Sequence, residues 1–126
     1  MASRAEVVDF LNLFKGCVML GALLVKSRDV NTQALVDLGI TSDERKETLL
    51  GLEPENYVSG PMLDDTDGMD KTKEVWIFGK QVQGKEVYIK LRVVEDSRNH
   101  GASRAMVWSF HPAEHKMKYP LWKGGS

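Results

Sequence analysis

Near the start of the chain apolar residues recur at three- and four-residue spacing, at Val7, Val8, Leu11, Phe14 and Val18. That period is the stripe of an amphipathic helix lying on a core. Ser3-Arg4-Ala5-Glu6 marks its start as an S-x-x-E capping box. In such a box the serine hydroxyl accepts from the glutamate amide, and the glutamate side chain reaches back to the cap amide. Gly16 and Gly21 weaken the helical pattern, so Ala22 to Lys26 reads equally as a short extended segment. Asn31-Thr32 predicts a brief helix through Leu35 and Leu38. Gly39 ends it, because glycine tolerates the left-handed conformation of a helix exit. Thr41-Ser42-Asp43-Glu44 repeats the capping-box form with acidic residues in the first turn, where the helix dipole favours them. Leu49, Leu50 and Leu52 are the expected buried edge of this third helix.

The pattern changes after Leu52. Pro54, Gly60, Pro61 and the acidic run from Asp64 to Asp70 predict a loop-rich region over 53–73. Three strand candidates follow, Glu74 to Phe78, Glu86 to Val94 and Ala105 to Phe110, each rich in aromatic and β-branched residues. In the second, Val87, Ile89, Leu91 and Val93 alternate with Tyr88, Lys90 and Arg92, giving one apolar face and one face with a phenol and two cations. Gln83-Gly84 marks a turn between the first two strands, and Ser97 to Ser103 a longer one. Helices first and an antiparallel sheet after them predict an α+β fold, with the N-terminal helices packed on one face of the small sheet. The chain then divides into a mostly helical 1–52, an acidic loop region 53–73, a sheet region 74–118 carrying the candidate site, and a tail 119–126. At 126 residues this is one domain.

Composition narrows the classes. With 42% hydrophobic and 28% charged residues, disordered, collagenous and coiled-coil readings are disfavoured. The single Cys17 excludes an intrachain disulfide framework and a cysteine-only zinc site, and suits a reducing compartment, so the cytoplasm is expected. Its apolar surroundings predict an inert buried thiol. The apolar stretch Gly16 to Val25 falls well short of the about 20 residues a membrane span needs. Glu6 and Asp9 before it, and Lys26-Ser27-Arg28-Asp29 after it, argue against a signal peptide. The net charge of -1 conceals an asymmetry: residues 1–70 hold 6 Lys+Arg against 13 Asp+Glu, and residues 71–126 hold 11 against 5 together with His100, His111 and His115. Such a split predicts one surface that meets an anion and another that meets water or a basic partner.

The densest chemistry lies in Ser109-Phe110-His111-Pro112-Ala113-Glu114-His115. Taken literally, His111 to His115 fits H-x-x-E-H, a zinc-hydrolase motif that needs both histidines on one helical face. Pro112 directly after His111, and Pro120 downstream, work against that helix. A bland alternative has Pro112 starting a turn that His111 caps. A third reading joins His111 to the polar strand face of Tyr88, Lys90 and Arg92. Metal-free RNA cleavage needs a base for the 2′-hydroxyl, an acid for the 5′-oxygen and cations at the phosphate, and these residue types supply them if the register brings them to one face. The same face can also be a simple solvated sheet surface, or a non-enzymatic module that holds RNA or a protein. Asp64, Asp65, Asp67 and Asp70 lack the spacing of a calcium loop.

Taken in order, Val7 to Leu13, Leu24-Val25-Lys26-Ser27-Arg28, Gln33-Ala34-Leu35, Leu38-Gly39-Ile40, Gly51-Leu52 with Tyr57, Trp76, Gly84-Lys85-Glu86-Val87-Tyr88-Ile89-Lys90 and Ser109-Phe110 resemble the MqsR family of type II toxins. The most specific pieces are the G-x-x-V-Y-I-K strand and the late S-F pair. The resemblance implies a RelE-like α+β fold and an mRNA interferase that cuts single-stranded mRNA without a metal or small-molecule cofactor and is neutralised by a cognate antitoxin. Tyr88 and Lys90 fall on the family's functional tyrosine and on the lysine two positions later. His111 falls where some members carry a functional lysine after S-F. Val58 stands where the family has a lysine, and Ile77 where it has a glutamine. These departures leave either a weakened nuclease or a rebuilt site, and the rebuilt site is the expectation: His111 as general acid or base, Tyr88 orienting it or exchanging a proton, Lys90 and Lys80 at the phosphate, and His115 as a second acid/base or RNA contact. Arg92 and Trp76 are the further expected RNA contacts, Trp76 by base stacking.

Overall fold

The computed structural model of the chain describes residues 1–63, 74–96 and 102–122. The acidic run from Asp64 to Asp70, the turn residues Ser97 to Gly101 and the terminal Gly124-Gly125-Ser126 lie outside the described residues. Three helices, α1 (Arg4–Met19), α2 (Asp29–Leu38) and α3 (Ser42–Leu50), pack on a sheet of β1 (Leu23–Val25), β2 (Tyr57–Leu63), β3 (Glu74–Val82), β4 (Lys85–Asp96) and β5 (Ala102–Pro112). The sheet has five strands in the order β1-β5-β4-β3-β2. The α+β class and the packing of the helices on the sheet agree with the pattern in the sequence. Among the described residues no helix is long and apolar enough to cross a membrane.

Both predicted capping boxes form: Ser3 Oγ accepts from the Glu6 amide at 3.2 Å and Thr41 Oγ1 from the Glu44 amide at 3.1 Å, each glutamate reaching back to its cap. The stripe of α1 buries Val7, Phe10, Leu11, Phe14, Cys17 and Val18. Phe10 stacks on Trp76 with ring centroids 4.5 Å apart, locking the helix to the middle of β3. From the sheet, Phe78, Val87, Ile89, Leu91, Val107 and Phe110 complete the same core. Gly39 ends α2 at φ 66°, the left-handed exit that the sequence predicts.

Three expectations change. The short segment after α1 is a strand, β1, and it pairs parallel to β5, so the sheet is mixed rather than wholly antiparallel. Part of the expected loop region is the edge strand β2, entered through a 3-10 turn at Pro54–Asn56. Its proline hides it from pattern reading, and the structure accommodates Pro61 where the β2–β3 register shifts between Ser59 and Met62, at the sheet's edge. The helix expected to open at Asn31-Thr32 starts at Asp29 instead, and Asn31 lies inside it, 1% exposed. Its amide group donates to the Lys26 and Trp108 carbonyls at 3.0 and 3.1 Å and accepts from the Phe110 amide at 2.9 Å. The last backbone bond beyond β1 runs from Lys26 N to the Val107 carbonyl, so Asn31 takes over the edge of β5 where β1 stops.

Candidate active site at the end of the sheet

The position of the site follows from one irregularity. On β5, Val107 pairs with Leu91 and Ser109 pairs with Lys90, leaving Trp108 as an extra residue. Strand side chains alternate faces, so one inserted residue reverses the facing of everything after it. Before the bulge Ala105 and Val107 face the helices, and after it Phe110 does. His111 is thereby aimed at the opposite face, in register with Tyr88. Without the bulge Ser109 and His111 would enter the core.

The imidazole of His111 stacks on the Tyr88 phenol with ring centroids 5.4 Å apart and an interplanar angle of 27°. Its Nδ1 lies 3.0 Å from the Pro112 carbonyl oxygen. A carbonyl only accepts, so this contact is a hydrogen bond when the proton sits on Nδ1, and Nε2 of the neutral ring then carries the lone pair. His111, Tyr88, His115, Glu114 and Met117 line one cleft of about 310 Å³. On its other side His111 borders a depression of about 800 Å³ shared with Arg28, Gln33, Asp37 and Glu114. One step along the strands Lys90 lies beside Ser109, whose hydroxyl accepts from Arg28 Nη1 at 2.7 Å.

Tyr88, Lys90, His111 and His115 thus gather at one end of the sheet, and three expected RNA contacts do not join them. Lys80 pairs with Val87 on the helix side, and its amine donates to the Gly51 carbonyl at 3.2 Å. Lys15 donates to the next carbonyl, Leu52, so the two lysines cover the negative end of α3. Burial lowers the Lys15 pKa, with Glu53 opposing and Lys80 adding to the shift. Trp76 is 8% exposed within the core, its ring committed to Phe10, and has no face to offer a base. Arg92 is on the polar face, but at 5% exposure its guanidinium is enclosed within the protein.

The face of Tyr88 is also not bare, as an open sheet surface would be. After β5 the chain returns across it: the Ala113 amide donates to the Glu86 carbonyl at 2.8 Å, the Met117 amide to Glu86 Oε1 at 3.1 Å, and the Tyr119 hydroxyl to Glu86 Oε2 at 2.6 Å. This strap runs over Gly79, the β3 partner of Tyr88. A Cβ added there would come within 2.6 Å of Met117 Cε and meet the Tyr119 ring, so a larger residue has to displace these side chains of the strap. The expected tail from residue 119 is therefore held to the sheet through Tyr119, and Leu121 packs on the core. Burial, then the hydrogen bond and charge of Glu86, push the Tyr119 phenol far above its ordinary value.

The segment from Ala113 to Tyr119 contains no helix, so His111 and His115 do not form the helical zinc face that H-x-x-E-H requires. Among the described residues no group of three or more His, Cys, Asp or Glu side chains is placed to hold a metal. Cys17 lies on the buried face of α1, and burial raises its pKa, as suits an unreactive thiol.

Arg28, Gly79 and Glu86 carry no functional signal in the sequence pattern, and Ser109 stands in the densest segment without a role of its own. The bulge leaves a trace, because the apolar spacing of Ala105 and Val107 breaks to reach Phe110. Arg28 leaves none, since its partners are 80 and 81 positions away. Comparison with protein families, with characterised proteins and with solved structures finds no match to the chain.

Proposed function

We propose that the protein is a metal-independent endoribonuclease acting on single-stranded mRNA, the toxin of a toxin-antitoxin pair, working in the cytoplasm and held in check by a cognate antitoxin. The observation that carries this reading is the stacked Tyr88–His111 pair, with Nδ1 3.0 Å from the Pro112 carbonyl, an arrangement in which a proton on Nδ1 leaves Nε2 as the base. Family resemblance supports it through the G-x-x-V-Y-I-K strand and the S-F pair that precede and frame these residues.

In the proposed reaction His111 Nε2 takes the 2′-hydroxyl proton as the 2′-oxygen attacks phosphorus. The bond from phosphorus to the 5′-oxygen breaks, and that oxygen receives a proton from His115 across the shared cleft. The product strand ends in a 2′,3′-cyclic phosphate. Tyr88 orients the imidazole, and Lys90 offsets the charge that develops on the phosphate. Acid-base groups of this kind contribute about 10²–10⁴-fold. His111→Ala should therefore lower the cleavage rate by about 100-fold or more and relieve growth arrest on expression. Unchanged cleavage by a folded His111→Ala protein would remove His111 from the chemistry.

A further inference from the structure

The displacement of Lys80 to the helix side leaves the His111 end of the sheet short of the phosphate contact assigned to it. Arg28 stands at that end. It enters from the segment between β1 and α2, is half-buried, and lines the same depression as His111. Its Nη1 donates both to the Trp108 carbonyl at 3.0 Å and to Ser109 Oγ at 2.7 Å. Ser109 and His111 lie on the same strand, two residues apart and on the same side of the bulge, about 7 Å from each other.

A guanidinium has five N–H donors in a planar fork. One nitrogen of Arg28 supplies both contacts, leaving Nε and Nη2 with no hydrogen-bond partner among the described residues. No carboxylate there lies within ion-pair distance of it, even though Asp29, Asp37 and Glu114 border the same depression. The side chain is thus oriented in advance by two acceptors on β5, and among the described residues no carboxylate pairs with it directly. Such a fork matches a phosphate oxygen pair, and fixing it beforehand removes much of the ordering cost of binding. The neighbouring carboxylates repel a phosphate from the α2 side and confine it to the rim between Arg28 and His111.

We propose that the Arg28 guanidinium, held by Ser109 and the Trp108 carbonyl, is the phosphodiester-binding site of this face and seats the RNA backbone beside His111. The inference rests on the RNA-cleavage reading and adds the residue that positions the strand. The test uses the full chain and a single-stranded RNA made non-cleavable by 2′-O-methyl groups, with affinity measured by fluorescence anisotropy over a salt series. Each phosphate contact to a single strand adds about 0.7 to the steepness of log affinity against log salt. Arg28→Gln, which keeps a donor for the Trp108 carbonyl, should make that slope shallower by about 0.7, whereas Arg28→Lys should keep the wild-type slope. A purely structural role would shift affinity at every salt concentration and leave the slope alone, and that result overturns the proposal. On the wild-type protein the same RNA should slow modification of Arg28 by an arginine-selective dicarbonyl, read by peptide mass spectrometry. Equal modification with and without RNA also overturns it, independently of how the variants fold. If the wild type binds this RNA but leaves unmodified RNA intact, the nuclease reading fails and the Arg28 slope still decides the phosphate site. Absence of binding by the wild type ends both.

Discussion

Trp108 is one residue more than the β4–β5 ladder can pair, and that surplus decides on which face His111 lies. The side chains that carry the proposed chemistry, Tyr88 and His111, meet only because of it. At the same scale Ser3 and Glu6 illustrate an interaction written entirely in local sequence. The Glu6 carboxyl lies below its ordinary value of 4.5 chiefly because it accepts a hydrogen bond from the Ser3 amide. A carboxyl lowered in the folded state stabilises above its unfolded pKa, and that contribution disappears as pH falls through the folded value. Glu6→Ala should lower stability at neutral pH, and the difference should shrink as pH drops below 4.5. Urea unfolding of both proteins across that range checks the direction; a pH-independent difference would contradict it. Capping boxes were legible because donor and acceptor are three residues apart. Arg28 with Ser109, and Asn31 with Phe110, were not, because their spacing of about 80 residues is set by the fold alone.

At the level of elements, Asn31 at the edge of β5 and Glu86 under the strap each gather several hydrogen bonds on one side chain. Asn31 joins the end of β1, the bulge and α2 through three hydrogen bonds. Asn31→Ala leaves the buried Phe110 amide without an acceptor and should cost about 2–4 kcal/mol in unfolding free energy, measured by urea denaturation. A loss under about 1 kcal/mol would show that the edge is satisfied otherwise. Glu86 does the equivalent for the strap. The Tyr119 phenol is raised above its ordinary 10.0 by burial first and by Glu86 second, so its bonded, neutral form stabilises the strap below pH 10 and that support is lost as pH rises beyond it. In an absorbance titration, the difference between wild type and Tyr119→Phe should show a phenol ionising above 10.0; a midpoint at or below that value contradicts the latch. At neutral pH Tyr119→Phe should also speed tryptic cleavage after Lys116 and Lys118, whose segment loses a clasp. The elements themselves were mostly legible from periodicity. β2 was not, because Pro61 reads as loop; β1 was legible as an extended alternative over Ala22 to Lys26, but its parallel pairing with β5 was not, because three residues carry too little pattern.

Across the whole molecule the charge asymmetry of the sequence becomes an asymmetry of layers. The acidic half supplies the three helices, and the basic half supplies β3, β4 and β5. The separation is incomplete at the site itself, where Arg28 arrives from the acidic half and Asp29, Asp37 and Glu114 border the depression beside His111. RNA affinity should therefore be moderate and salt-sensitive, with orientation at His111 mattering more than bulk attraction. The central claim, that this end of the sheet cuts RNA by acid-base chemistry without a metal, is tested most directly by incubating the purified chain with single-stranded RNA in excess chelator. The account predicts discrete fragments ending in 2′,3′-cyclic phosphate from the wild type and none from His111→Ala; intact RNA across varied sequences, or fragments that vanish with the chelator, would contradict it.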